Sequence, residues 1–375
     1  MNRTRYFATT FLVLASIAVG VGVSELAVRI LYPQTLGIWF VTRDGLITHY
    51  ANKNSYHHGF GTVIKINSLG MRDQEHAAQK RPGLFRVLLL GDSFMEALQV
   101  NFEESMPSLL ERALNSDAPG RAEVLNASVS GWGTDDELVY LMRYGAALRP
   151  DLVLIGVTLH NDVSDNLLEE FHFIKGGELH ERPIHEIPYW KYKELQLKTY
   201  LASNFHLYQI FLRAWRSQLG KVEAQRLDTH VAELLRIQSG PEVEKGWKLT
   251  RALLRKTNQE ARKIGAKFAL ILIPLEIQVS DEKLAQFLIR HNLAPGDIEI
   301  AKPQRMLRKI AQEEGIEAFD LLAEFKEWTV RTGEDLYLEA DGHWNAKAHR
   351  LAADLTTRTL VNGGIARTVD SALLR

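Results

Sequence analysis

The sequence predicts an α/β fold, a three-layer α/β/α sandwich around a parallel sheet of about five strands. Three observations predict it. Short apolar runs stand at 86–91, 122–126, 151–157, 267–274 and 316–320, and in the longest, 86–91, 151–157 and 267–274, the apolar residues are consecutive instead of alternating. A strand buried on both faces has that pattern. Segments of helical periodicity, among them 105–115, 135–148 and 346–360, lie between or after these runs. Strands alternating with helices build parallel sheets. The first three runs also lead into small polar clusters, Gly-Asp-Ser, Ser-Val-Ser-Gly and His-Asn-Asp. Ligands of open parallel sheets bind at the carboxyl ends of the strands, so those clusters are where function is sought.

In chain order, residues 1–35 stand apart. Arg3 and Arg5 precede a charge-free run at 7–23, roughly 25 Å long as a helix and at the short end of what a bilayer requires. Apolar character resumes after Glu25 and stops at Pro33; Arg29 suits snorkelling and Tyr32 an interfacial position. The expectation is an uncleaved signal anchor with its amino terminus inside. The chain is then a single-pass inner-membrane protein with everything after the anchor in the periplasm or otherwise outside the cytoplasm. A cleaved signal peptide, with a weak site at Ser16-Ile17-Ala18, gives the same compartment and a secreted protein. A buried soluble helix is the plain alternative. Residues 36–84, rich in Gly, Asn and His, read as an N-terminal extension without an assignable pattern. Residues 85–165 hold the first three strands. The interval 166–262 is too long for one crossover and carries helical periodicity near 191–236 and 243–264, so it reads as a mostly helical insertion. Residues 263–365 complete the sheet, and 366–375 form a tail.

Composition narrows the function classes. The chain has 375 residues, 46% hydrophobic and 24% charged, which is globular composition. The 45 Lys and Arg nearly balance 46 Asp and Glu, and a nucleic-acid binder would leave a basic excess. There is no cysteine, which excludes disulfides, thiolate nucleophiles, Fe–S clusters and Cys-ligated zinc. His57-His58 lacks a third ligand at sensible spacing. Asp162, Asp165 and Asn166 lack the glycine and bidentate Glu of a calcium loop. No metal and no cofactor is expected.

Ser93, Gly131, Asn161, Asp341 and His343 together hold the parts of a nucleophilic site. A serine hydroxyl needs a neighbouring base, and imidazole titrates near neutrality. A carboxylate fixes the ring's tautomer and stabilises the imidazolium. A tetrahedral oxyanion needs preorganised donors, which the Ser93 and Gly131 amides and the Asn161 side chain would supply. Alone, Ser93 would read as a helix cap and Gly131 as a turn residue.

Gly91-Asp92-Ser93-Phe94 resembles the Gly-Asp-Ser-Leu block of the SGNH (GDSL) hydrolase superfamily. Asn126-Ala-Ser-Val-Ser-Gly131 is similar to its second block, His160-Asn161-Asp162 to its third and Asp341-Gly-His343 to its fifth. The four occur in the family's order and cover roughly half the chain. The resemblance implies a flavodoxin-like SGNH sandwich. It implies Ser93 as nucleophile, His343 as base, Asp341 as orienting acid, and Ser93, Gly131 and Asn161 as the oxyanion hole. The membrane segment, Gly70-Met71-Arg72 and the insertion also resemble membrane-anchored members linked to bacterial surface polysaccharides. Three positions depart from the pattern. Phe94 replaces Leu, and His160 replaces the Gly that usually opens the third block. Ala340 stands where the acid usually does. Asp341 lies two residues before the histidine, a spacing similar to that of alginate O-acetyltransferase-like members; Glu339 is the reserve acid.

The expected function is a serine ester hydrolase that acts through an acyl-enzyme. It would remove O-acyl groups, foremost O-acetyl, from a carbohydrate outside the cytoplasm. The alternatives are an O-acetyltransferase using the same triad on a polysaccharide, a catalytically silent carbohydrate-binding or assembly protein, and a lipase or phospholipase. Trp132, beside Gly131, and His160 are candidate substrate contacts. Trp190 and Trp215 are expected to pack inside the insertion, and His349 to be structural.

Overall fold

The computed structural model describes residues 2–116, 120–159, 162–168, 171–182, 187–339 and 341–365, with the backbone alone at 2–4 and 216–228. The chain opens with α1 (Asn2–Leu31), whose section Arg5–Leu31 is long and apolar enough to cross a membrane; its apolar stretch is exposed, and near its carboxyl end Glu25 and Arg29 bond to residues 204–207. The extension that follows folds into two antiparallel hairpins. One joins β1 (Trp39–Val41) to β2 (Ile47–His49), and the other joins β3 (Asn54–His57) to β4 (Thr62–Lys65).

The central sheet then begins with β5 (Phe85–Gly91), which leads into the short helix α2 (Ser93–Glu96). α3 (Met106–Leu114) returns the chain to β6 (Ala122–Asn126). α4 (Thr134–Tyr140) continues through a π-turn at Leu141–Gly145 before β7 (Leu152–Thr158). A further hairpin, β8 (His172–Lys175) and β9 (Glu178–Glu181), precedes α5 (Tyr189–Asn204), α6 (His206–Leu235) and α7 (Pro241–Lys263). The sheet closes with β10 (Lys267–Ile273), α8 (Asp281–Arg290), α9 (Lys302–Glu314), β11 (Glu317–Asp320), α10 (Leu322–Thr332) and α11 (Ala346–Asn362).

All five central strands are parallel, in the order β6-β5-β7-β10-β11. The strand order reverses direction between β5 and β7, so a crevice opens beyond their carboxyl ends. The expected α/β/α sandwich is the fold observed. Both faces of β5, β6, β7 and β10 are buried, with alternate residues serving opposite layers, while the edge strand β11 buries only Phe319. Val87, Leu89, Leu152, Leu154 and Ile271 pack beneath α3, α10 and α11. Leu88, Leu90, Val153, Ile155 and Leu270 pack beneath α4, α7 and α9. Burying one such side chain contributes about 1.5–3 kcal/mol, against a few tenths from helix propensity. The apolar faces therefore fix the layers.

The interval 166–262 departs from its expected description in two ways. It starts with a hairpin turning at Gly176-Gly177, both at positive φ. Its last helix, α7, buries Trp247, Leu254 and Ala261 in the core and is the helix that returns the chain to the sheet. The segment that projects from the sandwich is thus α5 and the start of α6. There Trp190 and Trp215 are 69% and 62% exposed. They are not packed inside the insertion, because the inner face of α5 is taken by β1 and the segment after α1.

Candidate active site

β5 delivers Ser93 to the crevice. Gly91 and Gly156 face each other on β5 and β7, and both lie against Met95. A Cβ on Gly91 would sit 2.6 Å from Met95 Cγ, and one on Gly156 2.7 Å from it. Two glycines in register therefore let α2 rest directly on the sheet. Asp92 caps α2, its carboxylate accepting from the Phe94 amide at 2.9 Å. Burial raises the Asp92 carboxyl to about 6. Asn126, at the end of β6, donates to the Met95 carbonyl at 3.0 Å and ties the second cluster to the first.

Asp341 and His343 arrive from the other end of the chain. Gly342 adopts φ +72°, and the Asp341 and Gly342 amides both donate to the Leu338 carbonyl, at 3.1 and 2.7 Å. This tight turn lets an acid two residues before a histidine meet its ring. The His343 Nδ1–H donates to Asp341 Oδ2 at 2.9 Å. Nε2 is left to accept from Ser93 Oγ at 2.7 Å. The Phe94 ring packs at 4.8 Å from the imidazole, and Trp344 lies buried beneath Phe94. Burial pulls the His343 pKa down, but the hydrogen bond and charge of Asp341 and the charge of Asp92 outweigh it and raise it above the usual histidine range. Burial pushes the Asp341 carboxyl up, and its bond to His343 more than reverses this and holds it below the usual carboxylate range. Glu339, the reserve acid, is exposed and makes no bond to the ring.

The three residues line a cleft of about 580 Å³. Gly131 stands on the same wall at φ +85°, a conformation that suits glycine. Ile47, Leu168, Val231, Leu275 and Phe287 give the cleft apolar surface; Asp135, Asp136, Asp165 and Glu276 give it acidic surface. Among the described residues its lining holds no lysine or arginine. His160 and Asn161 lie outside the described residues.

Trp132 is a correction. It is buried in the core against Tyr140, with its indole N–H donating to the Ile47 carbonyl at 2.9 Å. The chain turns at Gly131, so the next side chain points into the protein and not into the cleft. His349 is buried, accepts from the Met106 amide through Nδ1 at 3.3 Å, and is pushed down to about 3 by burial and the nearby charges of Arg72 and His343.

Glu96, not among the residues expected from the sequence, is fully buried at the end of α2. One carboxylate oxygen lies 2.6 Å from His49 Nε2 and accepts from Trp39 Nε1 at 3.0 Å. The other accepts from the Ser130 amide at 2.7 Å and from the Ser130 hydroxyl. Burial raises its pKa, and the bonds from His49 and Ser130 overcome that and hold it low. This carboxylate joins the nucleophile's helix, the residue before Gly131 and the first hairpin. The available signal was a lone charge in the apolar run Phe94-Met-Glu-Ala-Leu98.

No protein-family model matches the chain, and no curated protein matches it. Solved structures similar to it include TesA, at 18% identity over 73% of this chain and 97% of that one, with a TM-score of 0.39. They also include Axe2, an acetylxylan esterase from Geobacillus stearothermophilus, at 16% identity over 73% and 93%, TM-score 0.38. A third is the acetyl xylan esterase AlAXEase, at 15% identity over 72% and 98%, TM-score 0.41.

Proposed function

We propose that this chain is a serine ester hydrolase of the SGNH type, working through an acyl-enzyme. The observation that carries the reading is the hydrogen-bonded series Ser93–His343–Asp341 at 2.7 and 2.9 Å, open to a cleft at the switch point of a parallel sheet. Ser93 Oγ attacks the ester carbonyl while His343 Nε2 takes its proton. The developing oxyanion turns toward the Ser93 and Gly131 amides, with the Asn161 amide as the third donor implied by its sequence block. The C–O bond to the alcohol then breaks, and the alcohol leaves with the proton from His343. Water attacks the acyl-serine through the same base and frees the acid. Asp341 holds the tautomer and stabilises the imidazolium.

The substrate class follows from the sequence resemblance and the apolar N-terminal helix. It is an O-acyl, foremost O-acetyl, ester on a carbohydrate outside the cytoplasm, with the enzyme held at the inner membrane by that helix. The test compares hydrolysis of an activated acetyl ester by the full chain in detergent with hydrolysis by Ser93→Ala. The expected loss is on the order of 10³-fold or more, with fluorophosphonate labelling of the wild type alone. Equal, near-background rates would sink the hydrolase. An acetyl group found on Ser93 by mass spectrometry in that case would assign the same serine to transfer onto a sugar hydroxyl.

A further inference from the structure

The helical projection carries a surface that the hydrolase reading does not use. α5 sets Trp190, Lys193, Leu197 and Tyr200 on one face, all exposed, within about 80° of one another at 100° per residue. The opposite face is tied to the body. Tyr50 Oη lies 3.0 Å from Thr199 Oγ1, the Gly37 amide donates to the Ala202 carbonyl at 3.0 Å, and Lys53 Nζ donates to the Ser203 carbonyl at 2.6 Å. α6 adds two more exposed aromatic side chains. Phe211 and Trp215, one helical turn apart, are both exposed, with ring centroids 6.5 Å apart. The elbow between α5 and α6 thus holds an aromatic face outward and cannot fold it away.

The elbow is bonded to the apolar N-terminal helix at a defined height. Both Glu25 carboxylate oxygens accept from the first amides of α6, His206 at 3.0 Å and Leu207 at 2.8 Å. Arg29 donates to the Asn204 carbonyl at 3.1 Å, and the Gln34 amide to His206 Nδ1 at 2.8 Å. The apolar section Arg5–Leu31 has 27 residues, about 40 Å of helix against a hydrocarbon core of about 30 Å. The excess is about seven residues, which sets Glu25 to Leu31 at headgroup level. The elbow is fastened at that same level, beside exposed Leu31 and Tyr32. Its charge fits as well. Lys191, Lys193, Lys198 and Arg213 stand against Glu194 alone over 189–215.

We propose that the α5–α6 elbow is a second membrane contact, lying in the headgroup layer of an anionic bilayer with Trp190, Leu197, Tyr200, Phe211 and Trp215 turned to the lipid. This rests on the reading of α1 as a membrane anchor. Aromatic residues with flanking lysines are what the interface accepts. One helix leaves a domain free to swivel; a helix plus an interfacial elbow fixes it. Orientation then passes to the cleft, because the elbow packs on β1 and its partner β2 supplies Ile47 to the cleft wall.

The absence of native cysteine makes the test direct. Leu197→Cys, Tyr200→Cys and Trp215→Cys are each labelled with a nitroxide in the full chain, in vesicles of phosphatidylcholine and phosphatidylglycerol. Leu14→Cys reports the anchor, and Ile289→Cys on α8 reports bulk water. The ratio of accessibility to oxygen over a water-soluble nickel chelate is read at each position. The expected ratio at the elbow is severalfold above that at 289 and below that at 14. Elbow ratios equal to that at 289, with 14 in lipid, overturn the elbow contact and leave the anchor standing. A label at 14 that is open to the chelate removes the anchor and this proposal with it. Elbow labels closed to both reagents assign the face to a protein contact and overturn it too. None of these outcomes touches the Ser93→Ala comparison, so the hydrolase reading stands or falls separately.

Discussion

Asp341 has to orient its histidine across a single glycine. At 2.9 Å it raises the His343 pKa above the usual range. The raised value matters for pH dependence because catalysis by Ser93 needs the imidazole neutral in the free enzyme. The acid limb of kcat/KM therefore reports His343 and lies above the usual histidine pKa. In Asp341→Asn the charge that favours the imidazolium is gone, so the limb moves to lower pH. The tautomer is no longer held either, so kcat/KM falls on the order of 10³–10⁴-fold. A pH–rate profile of both proteins checks this, and an unmoved acid limb would reassign the ionisation or the acid. Glu339→Gln, at the exposed neighbour, is expected to leave rate and limb unchanged. The carboxylate was legible in the sequence through the resemblance of Asp341-Gly-His343 to a family block, and the structure shows that Gly342 makes the two-residue spacing work. A glycine there permits a turn that brings i and i+2 together. Trp132 was misread for the converse reason: the residue after a turn glycine is adjacent in sequence, yet its side chain is sent inward.

The nucleophile's turn depends on two strands together. Gly91 and Gly156 are opposed in register, and Met95 fills the space that their missing Cβ atoms leave. Gly156→Ala would set a methyl 2.7 Å from Met95 Cγ, close to the chain of Met95 and not at its flexible tip. Overpacking of this kind costs typically 1–3 kcal/mol, and here it lifts α2 and Ser93 off the sheet. Activity is expected to fall along with thermal stability. Met95→Ala in the Gly156→Ala background is expected to recover part of the stability lost, because the two changes share one contact. Additive losses in that cycle would show that Met95 is not what the glycines make room for. Strands and core helices were legible because burial on both faces leaves continuous apolar runs, and α3, α4 and α11 follow their amphipathic period. α7 was misassigned because periodicity shows that a helix buries a face without naming the surface it meets. The β8–β9 hairpin was missed although Gly176-Gly177 between two short runs is its turn signal. The Glu96 network was invisible for a different reason. Its partners Trp39 and His49, on the first hairpin, and Ser130, before Gly131, lie far from Glu96 in sequence, and only the fold brings them together.

Over the whole molecule the net charge is only −1, but the charges are not evenly spread. The α5–α6 elbow is basic. The cleft is acidic, with Asp135, Asp136, Asp165, Glu276 and Asp341 on its lining, Asp135 being paired to His172 at 2.5 Å. Burial raises the Glu276 carboxyl, helped by Asp335 and Glu339 and opposed by Lys283. Acids concentrated in an apolar-walled cleft focus a negative potential where the ester must dock. That field favours neutral esters and opposes esters that carry a carboxylate or phosphate of their own. For two acetyl esters matched in leaving group, one neutral and one bearing a carboxylate, kcat/KM is expected to favour the neutral ester by about tenfold or more at low salt. The gap narrows as ionic strength rises, since the screening length falls from about 30 Å at 0.01 M to about 10 Å at 0.1 M. Asp136→Asn with Asp165→Asn narrows it at low salt without touching Ser93, His343 or Asp341. A preference that ignores salt would trace to shape instead of charge, and equal rates for both esters would mean that the carboxylates of the cleft do not reach the substrate.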